Sequence, residues 1–391
     1  MSLLTNAYRV IDIDTHVIEP YDLWTSRVSA AHREQVPHVR READGIDYWY
    51  FGEQRALPAA AAAMAGWHEH PPFHPKTIDE ADPATWDAHK RLQKMDDYGI
   101  HAQVLFPNVV FFNADTLVGM GDRSLMLECV RAYNDWQVDW SAADPNRFLP
   151  QAVLPFWDLD LAVAELERCR RNGHRGLVFT SEPEYFKQPK LTNPHWDKLW
   201  AAAQDLAMPV NFHIGSGDAG PFSIMDESVG QHAAYASMGV LFFLSNGSAL
   251  TQIICGGICH RFPRLNFISV ESGVGWLPFA LASLDWQWKN CGVPQEHPEY
   301  GGMLPSDYFR RQIYGSFWFE GPETLLPAIE ALGADNILYE TDFPHPTSMS
   351  PSPNSTAQDP RDYIEHVFKD VTTTDTQKIL HDNAAKLYNI Q

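Results

Sequence analysis

Six residues in this sequence have the chemistry to hold a cation and move a proton: Asp14, His16, His213, Glu271, Asp342 and His345. Asp14-Thr15-His16 ends an apolar, β-branched run, and side chains at i and i+2 leave the same side of a strand. His213 follows an apolar run at 209–212, Glu271 one at 266–270, and Asp342 and His345 one at 337–339. Two imidazoles with one or two carboxylates suit one divalent ion, Zn, Mn or Fe(II), with positions left open for water or substrate. Such an ion lowers the pKa of bound water and polarises a carbonyl. A nearby carboxylate then takes and returns the proton. Each residue alone has a structural role open to it: His213 could cap a core strand, Asp342 a turn before Pro344, and Glu271 could accept from backbone N–H groups. Their common place just past strand ends is what those roles leave unexplained.

The elements that position these residues form a regular alternation. Strands are predicted at 10–14, 102–106, 148–154, 176–179, 209–212, 266–270, 312–314 and 337–339. Helices are predicted at 85–97, 124–143, 158–172 and 194–206, two of them stopped by Gly99 and Gly173. Eight β-rich runs alternating with helical periodicity predict an α/β fold, a (β/α)8 TIM barrel, whose C-terminal strand ends form the active-site face. One domain spanning 1–391 is expected, since no linker divides the chain.

Two insertions interrupt the alternation. The first, about 18–94, carries a hairpin signal at 38–41 and 46–51 around Asp44-Gly45, then an alanine run at 59–63, and reads as a lid. Its His68, His70 and His74 imitate a metal motif, but Pro71, Pro72 and Pro75 make the segment an irregular rim loop. The second insertion, about 215–259, predicts two apolar helices near 233–244 and 250–259, with faces suited to internal packing or a homodimer interface. Cys255-x3-Cys259 there reads as core packing. The Pro/Ser-rich stretch 347–360 reads as an active-site loop.

Composition excludes several classes. A formal charge of −21 opposes nucleic acid or an anionic membrane surface as partner, which leaves a small-molecule substrate. Five cysteines without scaffold spacing suggest a reducing compartment. No signal-peptide pattern opens the chain, and the longest strongly apolar run, 240–244, is too short to span a bilayer, so a cytoplasmic location is expected. Thirteen Trp and 21 Phe point to large buried aromatic surfaces or an apolar pocket. Tyr48, Trp49, Trp67, Phe73, Phe111, Phe112 and Trp276 are its candidate lining.

Asp14-x-His16, His213, the stretch HRFPRLNFISVESGVGWLPF at 260–279, TDFPH at 341–345 and KILHDNAAKLY at 378–388 together resemble the amidohydrolase-2 branch of the amidohydrolase superfamily. That branch includes aminocarboxymuconate-semialdehyde and γ-resorcylate decarboxylases. The resemblance implies that Asp14, His16, His213 and Asp342 hold the metal, with Asp342 also exchanging a proton. One departure stands out. The family's decarboxylases place a His after the sixth strand, where this chain has Glu271. An ionised Glu would repel a substrate carboxylate, and could act instead as a base or as a further metal ligand. His260 lies upstream of that strand and reads as a structural turn, whereas His345 is close enough to Asp342 to support it. The expectation is therefore a metal-dependent hydrolase that cleaves an ester, thioester or amide with an apolar acyl group, with Glu271, Asp342 and His345 as catalytic residues. The alternatives are a metal-dependent non-oxidative decarboxylase of an aromatic or unsaturated acid, and a non-catalytic ligand-binding barrel.

Overall fold

A computed structural model describes residues 7–112, 114–217 and 227–390. Eight parallel strands form one sheet in the order β1 (Val10–His16), β5 (Ile100–Phe106), β6 (Phe148–Ala152), β7 (Gly176–Val178), β8 (Val210–His213), β9 (Phe267–Val270), β10 (Ile313–Phe317) and β11 (Ile337–Tyr339). The two ends of the sheet meet where Thr15 bridges Phe343, with the His16 N–H donating to the Phe343 carbonyl at 2.7 Å. The Asp342 N–H donates to the Asp14 carbonyl at 3.0 Å, which sets the eighth-strand acid beside the first-strand pair. This is the (β/α)8 barrel the alternation predicts. Apart from the partly exposed His101 in β5, its strands are buried along their length, as parallel strands covered by helices are.

The helices follow their sequence signals closely. Helix α1 (Ala88–Tyr98) starts at an Asp87 cap that accepts from His89 and Lys90 N–H and stops at Gly99 with φ 72°. Helices α2 (Arg123–Ser141) and α3 (Leu159–Asn172) are capped by Asp122 and Asp158, and α3 stops at Gly173 with φ 114°. Helix α4 (Asp197–Asp205) is preceded by a 3-10 turn at Pro194–Trp196.

The insertions bring two corrections. The lid holds the expected hairpin, β2 (Pro37–Arg41) against β3 (Asp47–Phe51), but adds an unforeseen antiparallel strand, β4 (Gln54–Pro58). Met64 and Ala65 N–H groups donate to the Pro344 carbonyl, so the lid is tied to the loop after β11. The second insertion is one long helix, α5 (Gln231–Cys255), and a short turn of helix at Ile258–Arg261 rather than two equal helices. The reason is Asn246, which sequence places in a break. Its buried side chain donates to the Phe212 and Val270 carbonyls at 2.9 and 3.0 Å, pinning the middle of the helix across β8 and β9. This helix is long and apolar enough to cross a membrane by length and composition, which corrects the expectation that no segment is. Cys259 is core, as read, whereas Cys255 is exposed.

Candidate active site

All six residues singled out in sequence meet at the C-terminal mouth of the barrel. Asp14, His16, His213 and Glu271 offer ligand atoms within 4.8 Å of one another, and so do His16, Glu271, Asp342 and His345. The His16 and His213 Nε2 atoms are 3.0 Å apart. That is the separation of two nitrogens bound at right angles about one ion with bonds of about 2.1 Å. Asp14 Oδ1 lies 3.4 Å from His16 Nε2 and 3.5 Å from His213 Nε2, and Asp342 Oδ1 lies 3.8 Å from His16 Nε2. Glu271 Oε2 is 3.3 Å from His213 Nε2. His213 Nδ1 sits 2.8 Å from the Ile214 carbonyl, so that nitrogen carries the proton and Nε2 presents its lone pair to the centre.

Both oxygens of Asp14 and both of Asp342 are buried without a hydrogen-bond partner. Burying carboxylate oxygens unpaired is costly unless a cation compensates them. The unpaired oxygens and the converging nitrogens therefore fit a divalent metal, and a mixed N/O set suits Mn, Zn or Fe(II). Glu271 and Asp342 both have left-handed backbones, φ 58° and 57°, in a region that costs a non-glycine residue about 1–3 kcal/mol. Strain just past the ends of β9 and β11 accompanies the inward placement of both carboxyls.

Electrostatics follow from burial and crowding. Burial opposes ionisation of Asp14, but the His213 charge and the His16 contact outweigh it and hold the acid below the usual carboxylate range. Burial likewise opposes the charge on His213, yet Asp14 raises it to about 9. Burial lowers His16 to about 4 and raises Glu271 to about 8. Asp342 is raised well above its ordinary value by burial and by the charges of Glu271, Asp14 and Glu340. His345 is lowered by burial, then by His16 and His213.

His345 stacks on His16, with ring centroids 3.6 Å apart, and its orientation is set from behind. Asn108 donates from Nδ2 to the Val17 carbonyl at 3.0 Å, so its Oδ1 accepts from His345 Nε2 at 2.7 Å. His345 Nδ1 then turns its lone pair toward Asp342 Oδ1 at 3.0 Å, close enough for one proton to pass between them. Sequence reading missed Asn108, which follows Phe106-Pro107 at the second barrel strand's end. It also missed Glu340, fully buried beside the centre, whose Oε2 accepts from the Glu271 N–H at 3.3 Å. The position of Glu340, directly after Tyr339 at a strand end, is the signal that could have found it.

Two cavities reach His345. One, about 600 Å³, is walled by Phe111, Phe112, Tyr235, Phe242 and Phe243, with Glu271 and His345 in its lining. The other, about 640 Å³, has a mixed lining, with Ser348, Ser350 and Asn354 from the expected active-site loop facing Met64, Trp318 and Phe319. Of the aromatic candidates, Phe111 and Phe112 line the apolar cavity and Trp67 the mixed one. Trp49 is instead core, edge-on to Trp24, Phe73 is exposed beside His232, and Tyr48 and Trp276 line neither cavity. Among the described residues His68, His70 and His74 join no ligand cluster; the His74 ring bonds the Pro75 carbonyl. His260 meets Tyr308 and Tyr300, away from the centre.

An N/O-ligand cluster at the mouth of a (β/α)8 barrel defines a class, and the chain belongs to the amidohydrolase family, whose model matches residues 11–390. It is therefore an enzyme of the amidohydrolase superfamily. It is similar to gamma-resorcylate decarboxylase of Rhizobium sp. (strain MTP-10005), 28% identical over 265 residues, 65% of this chain and 76% of that protein. Its fold is shared by an amidohydrolase from Mycobacterium avium subsp. paratuberculosis K-10, with a TM-score of 0.76 at 20% identity over 97% of this chain and 99% of that one. It is also shared by a dihydroxybenzoic acid decarboxylase from Polaromonas sp. JS666 with bound manganese and 2-nitroresorcinol, with a TM-score of 0.61 at 20% identity over 98% and 97%.

These likenesses overturn the hydrolase expectation, with its ester and thioester substrates. That expectation rested on an ionised Glu271 repelling a carboxylate. Burial pushes Glu271 up to about 8, which opposes the ionisation that expectation assumed.

Proposed function

We propose that this enzyme removes the carboxyl group of an aromatic acid as carbon dioxide without oxidation, using one divalent ion, with manganese the first choice. Asp14, His16, His213 and Asp342 would hold the ion. The observation that carries the reading is the aromatic-walled cavity that ends on Glu271 and His345, a shape for a planar ring with its acid group facing the centre. The similarity to gamma-resorcylate decarboxylase, and the manganese in the Polaromonas neighbour, support the reaction and the ion.

When bound, the ion supplies a fixed positive charge that orients the substrate's oxygens and offsets their charge. The residues do the rest. Phe111 and Phe112 hold the ring and exclude water. Glu271, neutral in its buried setting, donates a hydrogen bond to the carboxylate where an ionised acid would repel it. As the bond to the carboxyl carbon breaks, its electron pair stays on the ring carbon, and the proton on Asp342 completes the arene. His345, held by Asn108, keeps that proton on the oxygen facing it.

The test is conversion of 2,6-dihydroxybenzoate and a panel of other hydroxybenzoic acids by manganese-loaded protein in deuterated buffer. Carbon dioxide release with one deuterium at the vacated ring carbon is the expected result. Absence of carbon dioxide from every aromatic acid, with metal bound, would overturn the reading.

A further inference from the structure

We propose that Arg55 at the mouth of the apolar cavity reads a second anionic group, so that the substrate is an aromatic acid extended by an apolar segment that ends in a distal carboxylate or comparable anion. The inference rests on the function proposed above and concerns the other end of the same pocket.

Three observations carry it. First, Arg55 is the only Lys or Arg among the described residues lining either cavity that reaches His345. Second, its guanidinium makes no hydrogen bond or ion pair among the described residues, in contrast to its lid neighbours. Arg40 is bonded to Glu53 at 2.8 Å and Arg41 to Asp47 at 2.8 Å. The Arg55 guanidinium lies over the Tyr48 ring, 4.8 Å from its centroid, a cation–π contact that uses none of its N–H groups as hydrogen-bond donors. Asp115 lines the same cavity but forms no ion pair with it. Third, Arg55 is exposed whereas Glu271 and His345 are buried, so the cation lies on the solvent side and the reacting centre on the buried side of a cavity of about 600 Å³. A single-ring acid placed at the buried end leaves the aromatic walls toward Arg55 uncovered. An extended one covers them and reaches the guanidinium. On a protein of net charge −21, one unpaired cation at a pocket mouth is also the local attraction a dianion needs.

The experiment is calorimetric binding to manganese-loaded protein of 2-nitroresorcinol, of its 4-carboxyphenyl extension, and of the methyl ester of that extension. A nitro group replaces the reacting carboxylate, so binding is read without turnover. The acid should bind about three- to tenfold more tightly than its ester, an advantage that shrinks as salt rises. Arg55→Ala should bring the acid-to-ester ratio to about one and Arg55→Lys should restore part of it. Arg55→Glu should invert it, and Arg40→Ala should leave it in place. An unchanged ratio in Arg55→Ala, or tighter binding of the unextended probe than of either extended one, would overturn the inference. Failure of all three probes to bind would instead count against the aromatic-acid function itself, and the inference would fall with it.

Discussion

Asp12 and Asp14 stand two residues apart on β1, equally buried, and have opposite surroundings. Asp12 accepts from the Thr341 N–H at 2.9 Å, the Thr341 hydroxyl at 2.7 Å and the Gln103 amide at 3.1 Å. Asp14 accepts from nothing, and two imidazole nitrogens converge on it instead. Below the mouth of the barrel, buried polarity is satisfied by the protein and joins the first strand to the last. At the mouth it is left open, as a cation site requires. Sequence pattern alone does not separate the two acids, since both lie on one face of one strand.

The contrast can be broken from either side. Asp14→Asn should lower manganese affinity by more than about a hundredfold, since even residues that merely orient metal ligands cost tenfold to a hundredfold. Carbon dioxide release should fall with it, while the metal-free protein stays folded with a melting temperature only modestly lowered by loss of the attraction between Asp14 and His213; calorimetric titration and thermal melts check both. Asp12→Ala should do the reverse. It strands four donors, the Asp14 N–H among them, and should destabilise the fold by about 1–3 kcal/mol, read by urea unfolding, with manganese affinity per folded molecule changed far less.

Acidity sharpens the same comparison. Burial raises Asp12 and Glu19 to about 7 and Glu271 to about 8. Without metal, the folded protein thus keeps protons that the unfolded chain releases above the ordinary carboxylate range. Buried His16, lowered to about 4, works the other way up to about pH 6.5, where it is neutral in both states, whereas His213, raised to about 9, adds to the loss above it; stability of the metal-free protein should therefore fall as pH rises from about 6.5 to about 8. Manganese binds the deprotonated site, so the gap between melts in manganese and in chelator should widen over that window. A gap that narrows would contradict the assigned ligands. The smallest effect belongs to Thr341→Val, which removes one of the four Asp12 bonds and the hydroxyl that accepts from the Phe343 N–H, and should cost about 1–2 kcal/mol with metal binding intact.

Much of this was legible in sequence because it depends on local pattern. Strand ends, and Gly99 and Gly173 as helix stops, are short-range signals. The six site residues were found by their place after apolar runs. What escaped depends on contacts made across the fold. Asn246 looked like a break between helices, yet its amide joins β8 to β9 and carries the helix through. Strand β4 was hidden because Gln54-Arg55 is polar and its pairing comes from the hairpin beside it. Asn108 and Glu340 act through His345 and the Glu271 N–H, partners more than 60 residues away in sequence. The charge state of Glu271 was misjudged for the same reason: burial is a property of the fold, and it decided between repelling a carboxylate and binding one.

The most direct test of the account is manganese stoichiometry by elemental analysis, with affinity by calorimetry, on the parent protein beside Asp14→Asn and Asp342→Asn. The account predicts one equivalent in the parent and a marked loss in both variants, each still folded by circular dichroism. No divalent ion bound by the parent after reconstitution, or binding unaffected by both substitutions, would contradict it.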